Sequence, residues 1–142
     1  MLTDNFSELE NLRLEKLEQL RQNGIEPYPT RSYKNSSNAD AIKAFEAREA
    51  ASQPEELRLT LAGRLRAIRN MGKLSFAHIE DRTGKIQLFM RVNELGQEKL
   101  DHFVRFYDLG DYIEATGTMV RTRRGEVTLQ VEDFRMLAKA LY

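Results

Sequence analysis

The stretch KLSFAHIEDRTGKIQLFMR, residues 73–91, decides the fold that this sequence predicts. Two runs with apolar residues at every second position flank the polar turn DRTG, which is the pattern of a β-hairpin. Successive side chains of a strand point to opposite faces. If Ala77 and Ile79 face a core, Phe76 and His78 must therefore lie on the outer face of the hairpin.

The second strand of the hairpin repeats this alternation. Its predicted inward side chains are Ile86, Leu88 and Met90, and its outward ones are Gln87, Phe89 and Arg91. The strand before the hairpin adds outward cations at Arg64, Arg66 and Arg69. Aromatic rings, an amide and cations are the groups that bind single-stranded nucleic acid, so the outer face is a candidate RNA-binding surface.

The elements around the hairpin predict a small barrel. Strands are expected at 57–69, 73–81, 85–91, 111–122 and 126–137, with a helix over 93–110. Five short strands with a helix between the third and the fourth is the plan of an OB-fold, a five-stranded Greek-key β-barrel. Such barrels bind oligonucleotides around strands two and three, and Gly63 and Gly117 are placed to bend the strands. We predict this mainly β domain over residues 57–142.

Residues 1–56 are predicted to form a helical extension and a connector. An amphipathic pattern favours a helix over 7–23, and its apolar stripe should dock on the barrel or on a partner. A connector with two prolines follows over 24–38. A second helix is expected over 40–51, with Asn38 or Asp40 as its N-cap.

Charge is unevenly distributed along the chain, although the formal net charge is zero. Residues 1–56 hold 7 Lys/Arg and 11 Asp/Glu, a net charge of −4, and residues 57–142 hold 15 and 11, a net charge of +4. The barrel is therefore the part expected to meet a polyanion. The lack of cysteine excludes disulfides and thiolate metal sites, and no apolar run approaches the ~20 residues of a membrane span. We expect a cytoplasmic protein without metal site or membrane contact.

Several outer-face residues have two interpretations. Phe89 stacks on a base or is covered by the N-terminal helices, and His78 contacts a base or is a bystander. The RTRR stretch, residues 121–124, is a phosphate-binding patch or a solvated turn. Nucleotide-binding glycine loops and serine, histidine and acid clusters are missing, so the sequence predicts recognition rather than catalysis.

Four stretches together resemble the N-terminal region of class II lysyl-tRNA synthetases. They are LEKLEQLRQNGIEPYPTR, MGKLSFAHIEDRTGKIQLF, VRTRRGE and LAKAL, and the resemblance runs from about Leu12 to Leu141. In this family the region is an OB-fold that binds the tRNA anticodon, whose uracil-rich bases identify lysine. The resemblance therefore implies a lysine-accepting tRNA as the partner.

The resemblance also implies roles for individual residues. Phe76 would stack on the central anticodon uracil, and Gln87 would hydrogen-bond the same base. Glu126 would read a flanking base, and Arg69 would contact a base or the backbone. The turn before Glu126 reads RRGE where the family usually has KTGE, which adds an arginine. Arg64, His78 and Phe89 complete the predicted RNA-binding set.

In this family the barrel precedes a large catalytic domain that uses ATP and Mg²⁺, and the enzymes are homodimers. This chain stops at Tyr142 without the class II catalytic motifs. We therefore expect it to bind tRNA without a cofactor of its own and without activating lysine. The catalytic domain would act in cis or in trans, and the chain alone could be monomeric. The alternatives are a general single-stranded nucleic-acid binder and a protein-interaction module that uses the stripe from Leu9 to Leu20.

Overall fold

The computed structural model describes residues 12–16, 34–52 and 55–140. Its elements are α1 (Asn38–Ala50), β1 (Arg58–Asn70), β2 (Leu74–Asp81), β3 (Gly84–Arg91), α2 (Val92–Leu95), α3 (Gln97–Phe106), β4 (Tyr112–Arg121) and β5 (Val127–Ala138). The predicted order, three strands followed by helix and two further strands, is confirmed.

The five strands form a closed barrel in the order β1-β2-β3-β5-β4. All neighbouring pairs are antiparallel except β3 and β5, which are parallel. The long strand β1 closes the barrel, because its first part pairs with β4 and its second part with β2. This is the OB-fold architecture predicted from the sequence.

The alternation predicted for the hairpin is confirmed. Ala77 and Ile79 are buried in the barrel core, together with the inward side chains of β3. The alternate residues Phe76 and His78 are only half-buried. The hairpin therefore divides its side chains between the core and an outer face, as a period of two requires.

The barrel bends close to both predicted glycines, but only Gly117 lies at a bend itself. At Gly117 the β4–β5 register shifts, which confirms the predicted bend. The expected bulge at Gly63 lies instead between Leu65 and Ala67. Gly63 is required for another reason, since a Cβ there would lie 2.8 Å from the carbonyl oxygen of Glu80.

The helix expected over 93–110 is two helices, and this prediction is corrected. Gly96, with φ +85°, separates α2 from α3, and α3 ends at Phe106. Val104 of α3 is 42% exposed, whereas Phe106 is buried. The buried stripe of α3 is centred on Phe103, and the next residue lies about 100° away around the helix.

The cap of α1 also differs from the prediction. The Oγ atom of Ser37, rather than Asn38 or Asp40, caps the helix by accepting a hydrogen bond from the backbone N–H of Asp40. Asn38 is fully buried, and its side-chain amide donates to the carbonyl oxygens of Ile79 and Gly84. The asparagine therefore attaches α1 to the β2–β3 turn, where a polar side chain satisfies buried backbone groups.

Residues 12–16 are helical and contact the segment between α3 and β4. Arg13 donates to the carbonyl oxygen of Leu109 at 3.1 Å, and Lys16 pairs with Asp108 at 2.9 Å. The contact is thus polar, whereas Leu12 of the predicted apolar stripe is 54% exposed. The other residues of the predicted helix 7–23, and most of the connector, lie outside the described residues.

Candidate nucleic-acid interface

An open cleft of about 870 Å³ lies between the outer face of β1–β3 and the β4–β5 turn. Six of the seven predicted RNA-binding residues line it: Arg69, Phe76, His78, Gln87, Phe89 and Glu126. The barrel therefore brings together residues that are up to 57 positions apart in the sequence. It forms the cleft where OB-folds bind oligonucleotides.

A row of side chains crosses three strands on one wall of the cleft. Arg69 of β1 lies opposite Phe76 of β2, which lies opposite Phe89 of β3. The two phenylalanine rings stack with their centroids 4.8 Å apart and their planes 6° from parallel. The Arg69 guanidinium lies 5.4 Å from the Phe76 ring centroid. Phe76 thus lies between Phe89 and an exposed arginine, which a stacking base can displace.

Phe89 belongs to this row and lines the cleft. Its ring contacts within the described residues are with Phe76 and with the Arg91 guanidinium, 5.5 Å from the Phe89 centroid. The predicted helix 7–23, which was the other cover considered for Phe89, lies mostly outside the described residues. Because the two rings stack on each other, a base can stack only on the outward face of either ring, where Arg69 and Arg91 lie.

A hydrogen-bonded network connects the polar residues of the cleft. Gln87 is 9% exposed, and its Nε2 donates to the Oγ1 of Thr128 at 3.0 Å. Thr128 Oγ1 donates in turn to the backbone carbonyl of Glu126 at 3.0 Å. The Nε2 atom of His78 lies 2.9 Å from Oε2 of Glu126. His78 therefore has a defined partner, and Gln87 is held more firmly than an exposed glutamine.

The β4–β5 turn is shaped by its own hydrogen bonds. The backbone N–H of Thr122 donates to the carbonyl of Glu126, and the Oγ1 of Thr122 accepts from the Glu126 N–H at 3.2 Å. Gly125 has φ +89°, a conformation that glycine adopts at low cost. These contacts present the exposed Glu126 side chain at the mouth of the cleft.

The lining is rich in positive charge. Its arginines are Arg69, Arg91, Arg121, Arg123 and Arg124. Arg91 pairs with Glu94, and Arg121 forms two hydrogen bonds to Glu49 of α1, at 2.6 and 2.9 Å. The hydrogen bond from Arg121 lowers the pKa of Glu49, and the same contact raises the pKa of Arg121. Among the described residues no carboxylate lies within 4.0 Å of the other three, so they can meet phosphates.

Arg64 is the predicted RNA-binding residue that does not line the cleft. Its guanidinium lies 4.8 Å from the ring centroid of Tyr112, where β1 pairs with β4. The bulge between Leu65 and Ala67 separates it from Arg69 and reverses the alternation along β1. Arg64 and Arg69 therefore lie in different parts of the barrel surface.

Thr128, Met71 and Glu49 shape the cleft or its border and were not predicted. Thr128 is fully buried between Gln87 and Glu126, and Met71 is 52% exposed at the end of β1. The third is Glu49, which holds Arg121 from α1. Alternation along β5 could have indicated Thr128, two residues after Glu126. The other two depend on contacts between distant parts of the chain.

The described residues offer stacking, hydrogen bonding and positive charge in this cleft. They contain no group of three or more His, Cys, Asp or Glu side chains placed to hold a metal ion. Within the same ranges, no helix has the length and apolar character needed to cross a membrane. The arrangement is suited to reading a single-stranded nucleic acid.

Comparisons with known proteins agree with this geometry. Residues 59–137 match the tRNA anti-codon family, described as an OB-fold nucleic acid binding domain. The chain is 36% identical over 136 residues to the lysine–tRNA ligase of Thermotoga sp. (strain RQ2) and 39% identical over 138 residues to that of Pelotomaculum thermopropionicum. The matches cover 96% and 97% of this chain but only 27% and 26% of those relatives. The chain thus spans about a quarter of the length of the curated relatives it matches.

Proposed function

Because this chain belongs to the tRNA anti-codon family of OB-fold nucleic acid binding domains and is homologous to the N-terminal region of lysine–tRNA ligases, we propose that it binds the anticodon of a lysine-accepting tRNA. The observation that carries this proposal is the row of Arg69, Phe76 and Phe89 beside Gln87 on one wall of the cleft. Together these side chains offer a stacking surface, a hydrogen-bonding amide and a cation to one nucleotide.

In this proposal the central anticodon base leaves its stack and lies against Phe76. Arg69 moves aside and pairs with a phosphate, which costs little because its side chain is exposed. Gln87 hydrogen-bonds the edge of the same base, and the exposed carboxylate of Glu126 accepts a hydrogen bond from a flanking base.

The turn residues hold the backbone of the RNA. Arg123 and Arg124 lie at the tip of the β4–β5 turn, exposed and without a carboxylate partner among the described residues. Each phosphate contact releases counterions, so affinity should fall steeply as salt rises. The barrel would thus orient the tRNA for a lysine–tRNA ligase, whose catalytic domain acts in cis or in trans, in the cytoplasm.

Replacing Phe76 by alanine tests the proposal. Phe76→Ala should weaken binding to an RNA stem-loop with a UUU anticodon by about 1–3 kcal/mol, the usual contribution of one stacked base. Fluorescence anisotropy at a stated ionic strength measures this change, and a thermal melt checks that the barrel still folds. Tyr112→Ala is the matched control, because Tyr112 is an exposed aromatic residue under an arginine but lies outside the cleft.

Equal affinity of the wild type and Phe76→Ala would contradict the proposal, provided that both fold. A loss of the same size in Tyr112→Ala would show that RNA is bound elsewhere on the barrel.

A second candidate is sequence-independent binding of single-stranded nucleic acid. It is favoured by the arginines of the cleft that have no acidic partner among the described residues, because contacts to phosphates carry no sequence information. Stem-loops that differ only in the anticodon separate the two functions. Anticodon reading predicts a marked preference for UUU, whereas general binding predicts similar affinities that share one salt dependence.

A further inference from the structure

The hydroxyl of Thr128 determines which way the Gln87 amide faces. Thr128 is fully buried, and its Oγ1 lies 3.0 Å from Gln87 Nε2 and 3.0 Å from the carbonyl oxygen of Glu126. A hydroxyl has one proton to donate. Since the carbonyl of Glu126 can only accept, the proton goes there, and Thr128 must accept the N–H of Gln87.

The opposite orientation of the Gln87 amide is disfavoured, because the Thr128 hydroxyl has only one proton to donate. It would place Gln87 Oε1 and the Glu126 carbonyl oxygen against one hydroxyl that has a single proton for both. Thr128 is shielded from water, so no solvent molecule could supply a second proton there. One of the two oxygens would then face a hydroxyl lone pair at about 3 Å. For the Glu126 carbonyl, which also accepts the Thr122 N–H, this is a repulsive contact rather than the loss of its partner.

The carbonyl end of Gln87 is consequently left for the cleft. The described residues give Gln87 Oε1 no hydrogen-bond partner, and this atom is not among the buried unpaired ones. It is therefore an acceptor in contact with the cleft beside Phe76. The second N–H of the amide remains next to it as a donor.

We propose that Thr128 is a positioning residue that sets the base selectivity of Gln87. With Oε1 fixed toward the ligand, Gln87 accepts a hydrogen bond from a base whose ring nitrogen carries a proton, as N3 of uracil does. A cytosine stacked in the same place would bring its unprotonated N3 against that oxygen. Uracil and cytosine have nearly the same size, so stacking on Phe76 alone would not separate them. This inference rests on the proposed anticodon binding.

The test compares two stem-loops that are identical except for uracil or cytosine at the central anticodon position. The wild type should prefer uracil. Thr128→Val keeps the side-chain shape but frees the amide to rotate, so the uracil-to-cytosine affinity ratio should fall by about three- to tenfold, the worth of one neutral hydrogen bond. Thr128→Ser keeps the hydroxyl and should keep the ratio.

The matched control is Thr60→Val. Thr60 also joins neighbouring strands through its hydroxyl, which lies 2.8 Å from that of Thr116, but it does not line the cleft. This variant should lose stability without changing the affinity ratio. A variant that only destabilises the barrel would lose affinity for both RNAs alike, and its uracil-to-cytosine affinity ratio would not change.

The outcomes separate this inference from the function on which it rests. A wild type that binds both stem-loops equally would overturn both. A wild type that prefers uracil, with a folded Thr128→Val that keeps the full preference, would overturn the role of Thr128 alone. If Thr128→Val does not fold, NMR of the wild type replaces this test. One of the two Gln87 side-chain amide protons should exchange slowly with water, and fast exchange of both would overturn the inference.

Discussion

Removal of the buried ammonium group of Lys139 should destabilise this protein strongly. The Nζ atom donates to Asp111 Oδ2 at 2.6 Å, to Asp108 Oδ2 at 2.8 Å and to the carbonyl of Phe106 at 2.9 Å. All three N–H groups of the ammonium are thus satisfied. The side chains of Lys139 and Asp111 are 0% exposed, so this ion pair lies away from solvent.

Lys139→Met keeps the length of the side chain and removes its charge. Asp111 then keeps hydrogen bonds from the backbone N–H groups of Asp108 and Ala140 but loses its cation in a buried site. Breaking a buried pair on one side costs about 3–5 kcal/mol. This loss is a large fraction of the roughly 5–15 kcal/mol of stability that a domain has in total. For a barrel of this size, it should lower the melting temperature by at least about 12 °C.

Chemical denaturation and thermal melts measure this loss, with Lys99→Met as the matched control. Lys99 pairs with Asp133 at 2.8 Å, but those side chains are 50% and 65% exposed, so its removal should cost less than about 1 kcal/mol. Equal losses in Lys139→Met and Lys99→Met would refute the reasoning from burial.

Two further predictions concern a glycine and a histidine. Gly117→Ala should disrupt the β4–β5 pairing and lower the denaturation midpoint strongly, because its Cβ would lie 2.1 Å from the carbonyl oxygen of Gln130. Gly125→Ala is the control: at φ +89° its Cβ would meet no atom within 4 Å, so the free energy of unfolding should fall by only about 1 kcal/mol. Burial lowers the pKa of His102 below its ordinary value of 6.5, so protonation favours the unfolded chain, and stability should fall as the pH drops from about 6.5 toward the folded-state pKa. His102→Gln should flatten this part of the curve of melting temperature against pH, and an unchanged slope would contradict the assignment.

The inner and outer faces of the hairpin could be predicted because they depend on local pattern. Phe76 and Gln87 lie on the outer face for the same reason that Ala77 lies in the core, namely the two-residue period of a strand. The resemblance to lysyl-tRNA synthetases added Glu126, which no local pattern would have singled out. The helix over 93–110 was less accurate, because Gly96 interrupts it and α3 ends at Phe106.

The sequence by itself determined the order of the strands along the chain, the alternation of inward and outward side chains in the hairpin, and the identity of most side chains in the cleft. Only the tertiary structure decided how they meet. The β1 bulge between Leu65 and Ala67 turns Arg69 outward, opposite Phe76, while Arg64 lies over Tyr112, outside the cleft. Closure of the barrel sets β5 beside β3, which pairs Thr128 with Gln87. Both depend on pairing between strands distant in sequence, and a local period carries no information about such partners.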